Sequence, residues 1–181
     1  MISGRFFLVV GPSGVGKDTL IDAAVASRRG GLVRVRRVVT RAAEAGGEVI
    51  EAVSHAEFER REAGGEFLLS WRAHGLAYGI PAMALALVGS GRDVIANGSR
   101  GVLAEARAMI PGLTILSVTA RPETLAARLG LRGREGAEAI AGRLSRVARI
   151  PDGPDVIEID NDGPLDTAVA RMIASVQPVS A

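Results

Sequence analysis

The chain has 181 residues, 48% hydrophobic but only 3% aromatic, with 22 Lys+Arg against 20 Asp+Glu and a formal charge of +2. That length fits one domain able to bury a substantial core, and the absence of cysteine excludes disulfide staples and thiolate metal sites. So few aromatics leave little to stack single-stranded nucleic acid. The apolar run after Met1–Arg5 stops at Gly11-Pro12, too short for a signal peptide or a membrane span, so a cytoplasmic protein with no membrane partner is expected.

Phe6, Phe7, Leu8, Val9 and Val10 read as a buried strand, and Asp18 to Ser27 carries apolar residues at helical spacing. Between them, Gly11, Pro12, Ser13, Gly14, Val15, Gly16 and Lys17 keep the spacing of a phosphate-binding loop, G-x-x-x-x-G-K-[ST]. In such a loop glycines let backbone N–H groups converge on phosphates, and the helix N-terminus favours the anion. Lys17 is the only lysine in the chain; every other cation of the Lys/Arg type is Arg. That bias suits a site needing a compact ammonium where a planar fork would not fit. The eighth position, where Ser or Thr normally helps hold Mg²⁺, is Asp18. Thr19 completes the candidate nucleotide contacts but is a poor stand-in, since one step along a helix swings a side chain by roughly 100°.

Leu32 to Val39 reads as the second strand, its "VRVRR" a solvated face leading to a ligand-facing Arg rather than a nucleic-acid contact. From about 41 to 80 the rhythm breaks into a glycine-rich segment, a capping box at Ser54–Glu57 opening a short helix to Ala63, and a return through "FLLSW"; this reads as an inserted subdomain. A helix from Ala82 to Val88, a strand from Asp93 to Asn97, a helix from about Gly101 to Met109 and a strand from Leu113 to Thr119 follow. Then come a helix with Pro122 in its first turn, a last strand Val156 to Asp160 and a last helix Leu165 to Val176. Alternating strands and helices predict an α/β fold, a parallel sheet with helices on both faces, in one domain over 1–181. No motif speaks to self-association.

The stretch 128–149 brings Arg128, Arg132, Arg134, Arg143 and Arg146 onto spacings compatible with one helical face, interrupted by glycines that suit a hinge. A phosphate loop, an inserted segment and an arginine-rich lid over about 128–146 together describe a small-molecule kinase: ATP and a phosphorylated acceptor crowd like charges, and cations arriving on closure stabilise the transferring group. Arg128, Arg132 and Arg143 are the candidate catalytic cations beside Lys17 and Asp18.

"GPSGVGK", Thr40-Arg41, "EFERREAGGEF", "W…HG…YGIP" from Trp71 to Pro81, "RL…RGRE" from Arg128 to Glu135 and "NDGPLDTA" from Asn161 resemble the guanylate kinase family over nearly the whole chain, which implies a P-loop NTPase fold. In that family carboxylates read the guanine edge, one before the Trp and one ending the central strand; here those places hold Ser70 and, in "VIANGSRG", Asn97 and Ser99. A hydroxyl cannot replace a bidentate acceptor, so GMP is expected to be a poor substrate.

"GKD", "SW", "NGSR", "RGRE" and "NDG" are instead similar to the ribose 1,5-bisphosphate phosphokinases of phosphonate catabolism, the PhnN type. The resemblance implies ATP-dependent phosphorylation of ribose 1,5-bisphosphate to 5-phosphoribosyl 1-diphosphate. Within that reading the phosphates call for arginines: Arg37, Arg41, Arg100 and Arg134, with Tyr78 as a phosphate-contacting hydroxyl. Glu48 and Asn97 are candidates for ribose hydroxyls, and Ser99 for a further substrate contact. Asp18 is the expected Mg²⁺ ligand, a carboxylate moved from strand end to loop. A phosphate nucleophile is already anionic, so His55 and His74 are expected to be surface or structural residues. The alternatives are a nucleoside monophosphate kinase with altered base preference and a non-catalytic guanylate-kinase-like binding module.

Overall fold

The computed structural model describes residues 4–28, 30–41, 49–131 and 151–178. Along the chain its elements are β1 (Phe6–Val10), α1 (Lys17–Ser27), β2 (Leu32–Val35), β3 (Val38–Val39), β4 (Glu51–Ala52), α2 (His55–Ala63), β5 (Phe67–Ala73) and β6 (Leu76–Pro81). They continue with α3 (Met83–Gly89), β7 (Asp93–Asn97), a short 3₁₀ turn at Arg100–Val102, α4 (Leu103–Met109), β8 (Leu113–Thr119), α5 (Pro122–Leu131), β9 (Val156–Asp160) and α6 (Leu165–Ser175). No described helix is long and apolar enough to cross a membrane.

All five residues of β1 are buried, as a central strand covered on both faces requires. Their alternation divides two cores: Phe6, Leu8 and Val10 pack with Leu69, Ile80, Ala84 and Ala106, while Phe7 and Val9 pack with Leu20, Ile21, Ala168 and Met172. The sheet order is β2-β7-β1-β8-β9, parallel throughout. The carboxyl ends of β1, β7, β8 and β9 therefore open along one edge, where open α/β sheets bind ligands.

The expected strand Leu32–Val39 is two strands in two sheets. β2 pairs with β7, whereas β3 pairs antiparallel with β6 in a second sheet of order β4-β3-β6-β5. Arg36 and Arg37 make the crossing, so residues of the expected insert and the end of the "VRVRR" run share one small sheet. The β5–β6 hairpin turns on His74 (φ 52°) and Gly75 (φ 73°), a pair of left-handed residues that matches strand twist. His74 and His55 are both exposed, as expected.

Ser54 caps α2 by accepting from the Glu57 N–H at 3.1 Å. The reciprocal half of the expected capping box is replaced: the Glu57 carboxylate pairs with Arg60 and Arg61, and Arg61 reaches Glu51 on β4 at 2.7 Å. Helix and strand are thereby tied by charge instead of by a closed cap.

Candidate active site

The loop leaves β1 through Gly11 at φ 149°, where a Cβ would stand 2.4 Å from the Val118 carbonyl oxygen, and enters α1 through Gly16 at φ 93°, where a Cβ would stand 2.7 Å from Asn161 Nδ2. Only glycine meets both demands. Val15 fixes the loop between them, fully buried in the core beneath α1. Its carbonyl accepts a 2.7 Å bond from the buried Asn161 Nδ2, and Asn161 N–H donates to Thr119 O at 2.8 Å, so the ends of β8 and β9 hold the loop in shape. Asn161 Oδ1 is buried and has no hydrogen-bond partner among the described residues. Beside it, Asp162 accepts from the Arg121 N–H at 2.9 Å. Hydrogen bonding from the Thr124 side chain first, then from Arg121, holds the Asp162 carboxyl below its ordinary range.

Lys17 Nζ donates to the carbonyls of Gly11 (2.9 Å) and Pro12 (3.0 Å), which keeps the ammonium over the loop. Thr19 is exposed on the next step of α1. Asp18 is brought to the end of β7: its Oδ1 accepts from Asn97 Nδ2 at 3.3 Å and from Arg34 Nη2 at 2.8 Å. Arg34 also pairs with Asp22, one turn further along α1. β2 alternates, with Leu32 and Arg34 on the α1 side and Val33 and Val35 on the other, so Arg34 meets both carboxylates. This corrects the expected solvated face: the Arg34 side chain is only 13% exposed.

The loop suits a polyphosphate, with its glycine-dependent backbone, its ammonium and the helix N-terminus together. Asp18 suits Mg²⁺ in donor chemistry, since its carboxylate offers hard anionic oxygens beside the loop, one of them steadied by Asn97 Nδ2. Among the described residues no cluster of three or more His, Cys, Asp and Glu could hold a metal.

A second group forms around the β5–β6 hairpin. Trp71 and Tyr78 are direct cross-strand partners and stack with centroids 5.4 Å apart at 7°. The Arg37 guanidinium lies 5.1 Å from the Tyr78 centroid and 5.8 Å from that of Trp71. The aromatic faces attract and orient the cation. Arg41 follows β3 with its Nε buried. Arg100 is half-buried, and desolvation lowers its pKa. The Ser99 hydroxyl accepts from Gly101 N–H at 3.2 Å, so it caps the turn that follows. Arg128 lies in the last turn of α5, its Nη1 buried and without a hydrogen-bond partner among the described residues. Glu48, Arg132, Arg134, Arg143 and Arg146 lie outside the described residues.

Ser70 points to the opposite face of β5 from Trp71. Its hydroxyl donates to Glu62 Oε1 at 2.6 Å, and Arg72 donates to both Glu62 oxygens, at 3.0 and 2.5 Å. Arg72 first and Ser70 second hold the Glu62 carboxyl down to about 2. The carboxylate that touches Ser70 among the described residues is thus already committed.

No protein-family model matches the chain. It is 44% identical over 178 residues to a ribose 1,5-bisphosphate phosphokinase PhnN of Pseudomonas paraeruginosa, across 96% of this chain and 95% of that protein. The chain belongs to the PhnN family. It is also 47% identical over 171 residues to a bifunctional ribose 1,5-bisphosphokinase-thymidine phosphorylase of Cupriavidus pinatubonensis, which covers 93% of this chain and 28% of that protein. The chain spans less than a third of the length of the bifunctional relatives it matches. Among solved structures, a guanylate kinase from Anaplasma phagocytophilum superposes with a TM-score of 0.67 at 22% identity, over 96% of this chain and 84% of that one. That likeness gives this PhnN-family chain the guanylate-kinase-like P-loop fold expected of it.

Arg34, Trp71 and Asn161 were not singled out as site residues by the sequence. The last two lie inside quoted motifs, and the alternation of "VRVRR" against an acidic first turn is the signal that could have found Arg34.

Proposed function

We propose that this PhnN-family chain is a cytoplasmic kinase of phosphonate catabolism that transfers the γ-phosphoryl group of ATP to the 1-phosphate of ribose 1,5-bisphosphate, giving ADP and 5-phospho-α-D-ribosyl 1-diphosphate. The observation that carries this reading is the character of the acceptor side: a guanidinium, Arg37, is fixed on the Trp71–Tyr78 stack, and the carboxylate beside Ser70 is saturated by its own neighbours. Fixed cations recognise phosphate, while guanine needs a vacant carboxylate for its N1–H and N2–H₂ donors.

The acceptor's phosphate oxygen attacks the γ-phosphorus, the bond from that phosphorus to the β-bridging oxygen breaks, and ADP leaves with the electron pair. No proton must be removed from the nucleophile, in keeping with two exposed histidines. Lys17 holds the transferring oxygens, and the loop amides and helix end hold the β-phosphate. Arg37, Arg41, Arg100, Arg134 and Tyr78 bind the sugar bisphosphate, with Glu48 and Asn97 at its hydroxyls and Ser99 as a further contact, and Arg128, Arg132 and Arg143 bring positive charge to the reacting phosphates. Asp18 would hold Mg²⁺ together with the nucleotide, and the ion would supply charge neutralisation along the polyphosphate.

ADP release measured with ribose 1,5-bisphosphate and with GMP or AMP tests the reading: turnover with the sugar alone is expected, and turnover of a nucleotide with none of the sugar overturns it. ATP binding without transfer to any of the three would favour the non-catalytic module.

A further inference from the structure

A carboxylate inside a phosphate loop is electrostatically awkward. Asp18 stands directly after Lys17, at the α1 N-terminus where the nucleotide's negative charge is to sit, and Asp22 follows on the same helical face one turn on. Both carboxylates would repel a polyphosphate. Arg34 reaches them from a neighbouring strand, at 2.8 Å from Asp18 and in contact with Asp22, with its side chain 13% exposed against 38% for Asp18. Arg34 and Asn97 both take Oδ1 of Asp18, leaving Oδ2 as the oxygen that neither donor engages.

We infer that Arg34 is a built-in counter-ion for Asp18, a positioning residue that lets the loop accept nucleotide phosphates before a divalent cation has neutralised the carboxylate. This rests on reading the loop as the ATP site, and it assigns to a β2 side chain a part in metal-free nucleotide binding. With a divalent cation present Asp18 has a second counter-ion, so the dependence on Arg34 shrinks. A guanidinium suits the task because it stays charged and its fork serves two carboxylates at once.

The test is a calorimetric titration of the full chain with ATP in EDTA and, separately, with ATP in excess Mg²⁺. Arg34→Met, which keeps the stem and deletes the charge, is expected to weaken metal-free ATP roughly tenfold, the size of one nearby unit charge in a partly solvated site, and MgATP by less than about threefold. Adding Asp18→Asn to Arg34→Met is expected to restore most of the metal-free affinity. Asp18→Asn alone, which leaves Arg34 in place, is expected to tighten metal-free ATP less than it does in the Arg34→Met background, and Arg34→Gln takes the place of Arg34→Met if that variant does not fold. Equal losses with and without Mg²⁺, no loss at all, or no restoration in the double variant would overturn the inference. Absence of ATP binding by the unsubstituted protein would overturn the loop reading as well.

Discussion

The Asp18 carboxylate in the phosphate loop accepts a 3.3 Å hydrogen bond from Asn97 Nδ2 at the end of β7, so loop and central strand meet at that carboxylate. P-loop kinases commonly draw their Mg²⁺ help from a loop hydroxyl and a strand-end carboxylate. In the proposed reading the carboxylate stands in the loop, as Asp18, and the strand end carries the Asn97 amide instead. Asp18→Asn and Asp18→Ser are each expected to raise the Mg²⁺ concentration needed for half-maximal rate severalfold, and adding Asn97→Asp to Asp18→Ser to recover part of that. A Mg²⁺ titration of initial rates checks this; unchanged Mg²⁺ dependence in both single variants contradicts Asp18 as the Mg²⁺ ligand.

Lys17 bridges two loop carbonyls in a space a planar guanidinium would not fill in the same way. Lys17→Ala and Lys17→Arg should both lower kcat, on the order of a hundredfold or more, while thermal denaturation shows the fold retained.

Because Trp71 is the only tryptophan in the chain, it reports directly on the Arg37 stack. Its emission should change when ribose 1,5-bisphosphate is added and not when ATP is added alone. Arg37→Met should raise KM for the sugar roughly tenfold or more with little change in KM for ATP, since one charge-assisted phosphate contact is lost. A parallel rise in both constants would place Arg37 in general structure.

Gly16→Ala puts a methyl 2.7 Å from Asn161 Nδ2 on a backbone with φ 93°. A destabilisation of about 1–3 kcal/mol is expected from the strained conformation. The Val15–Asn161 bond should loosen with it, so nucleotide affinity falls together with the melting temperature.

At the opposite end of β7, Asp93 binds Arg5 and Arg28, each at 2.6 Å, and accepts the Arg5 N–H at 2.8 Å. Burial pushes its carboxyl up, but the hydrogen bonds from Arg5 and Arg28 outweigh that and leave it below the ordinary value. A carboxyl depressed by folding contributes stability above its unfolded pKa and loses it as pH falls through the folded one. Asp93→Asn should therefore lower stability at neutral pH, by on the order of 2 kcal/mol for a part-buried charge network. It should also flatten the acid side of a melting-temperature profile below about pH 4, the ordinary aspartate pKa.

Much of this was legible from the chain itself. β1, the loop and α1 announced themselves because a wholly apolar pentapeptide, a glycine pattern and a helical period follow one another without a gap. That Asp93 lies at the far end of β7 from the loop follows from strand direction alone. What periodicity could not give was sheet membership: Leu32–Val39 alternates smoothly, yet the chain leaves one sheet for another at Arg36-Arg37. The Arg34–Asp18 pair was hidden for the same reason, since an arginine's partner across a strand and a helix depends on the packing of both. Ser70 illustrates the reverse case. Its loss of a carboxylate was readable in the sequence, but its bond to Glu62, eight residues earlier, needed the hairpin and α2 in place.

The most direct measurement follows phosphorus NMR of the protein with MgATP and either ribose 1,5-bisphosphate or GMP. A pair of coupled diphosphate resonances from 5-phosphoribosyl 1-diphosphate, appearing beside ADP only with the sugar bisphosphate, is the predicted result. GDP formed from GMP, with the sugar bisphosphate left intact, would contradict the account and require guanine to be read without the carboxylates that this chain lacks.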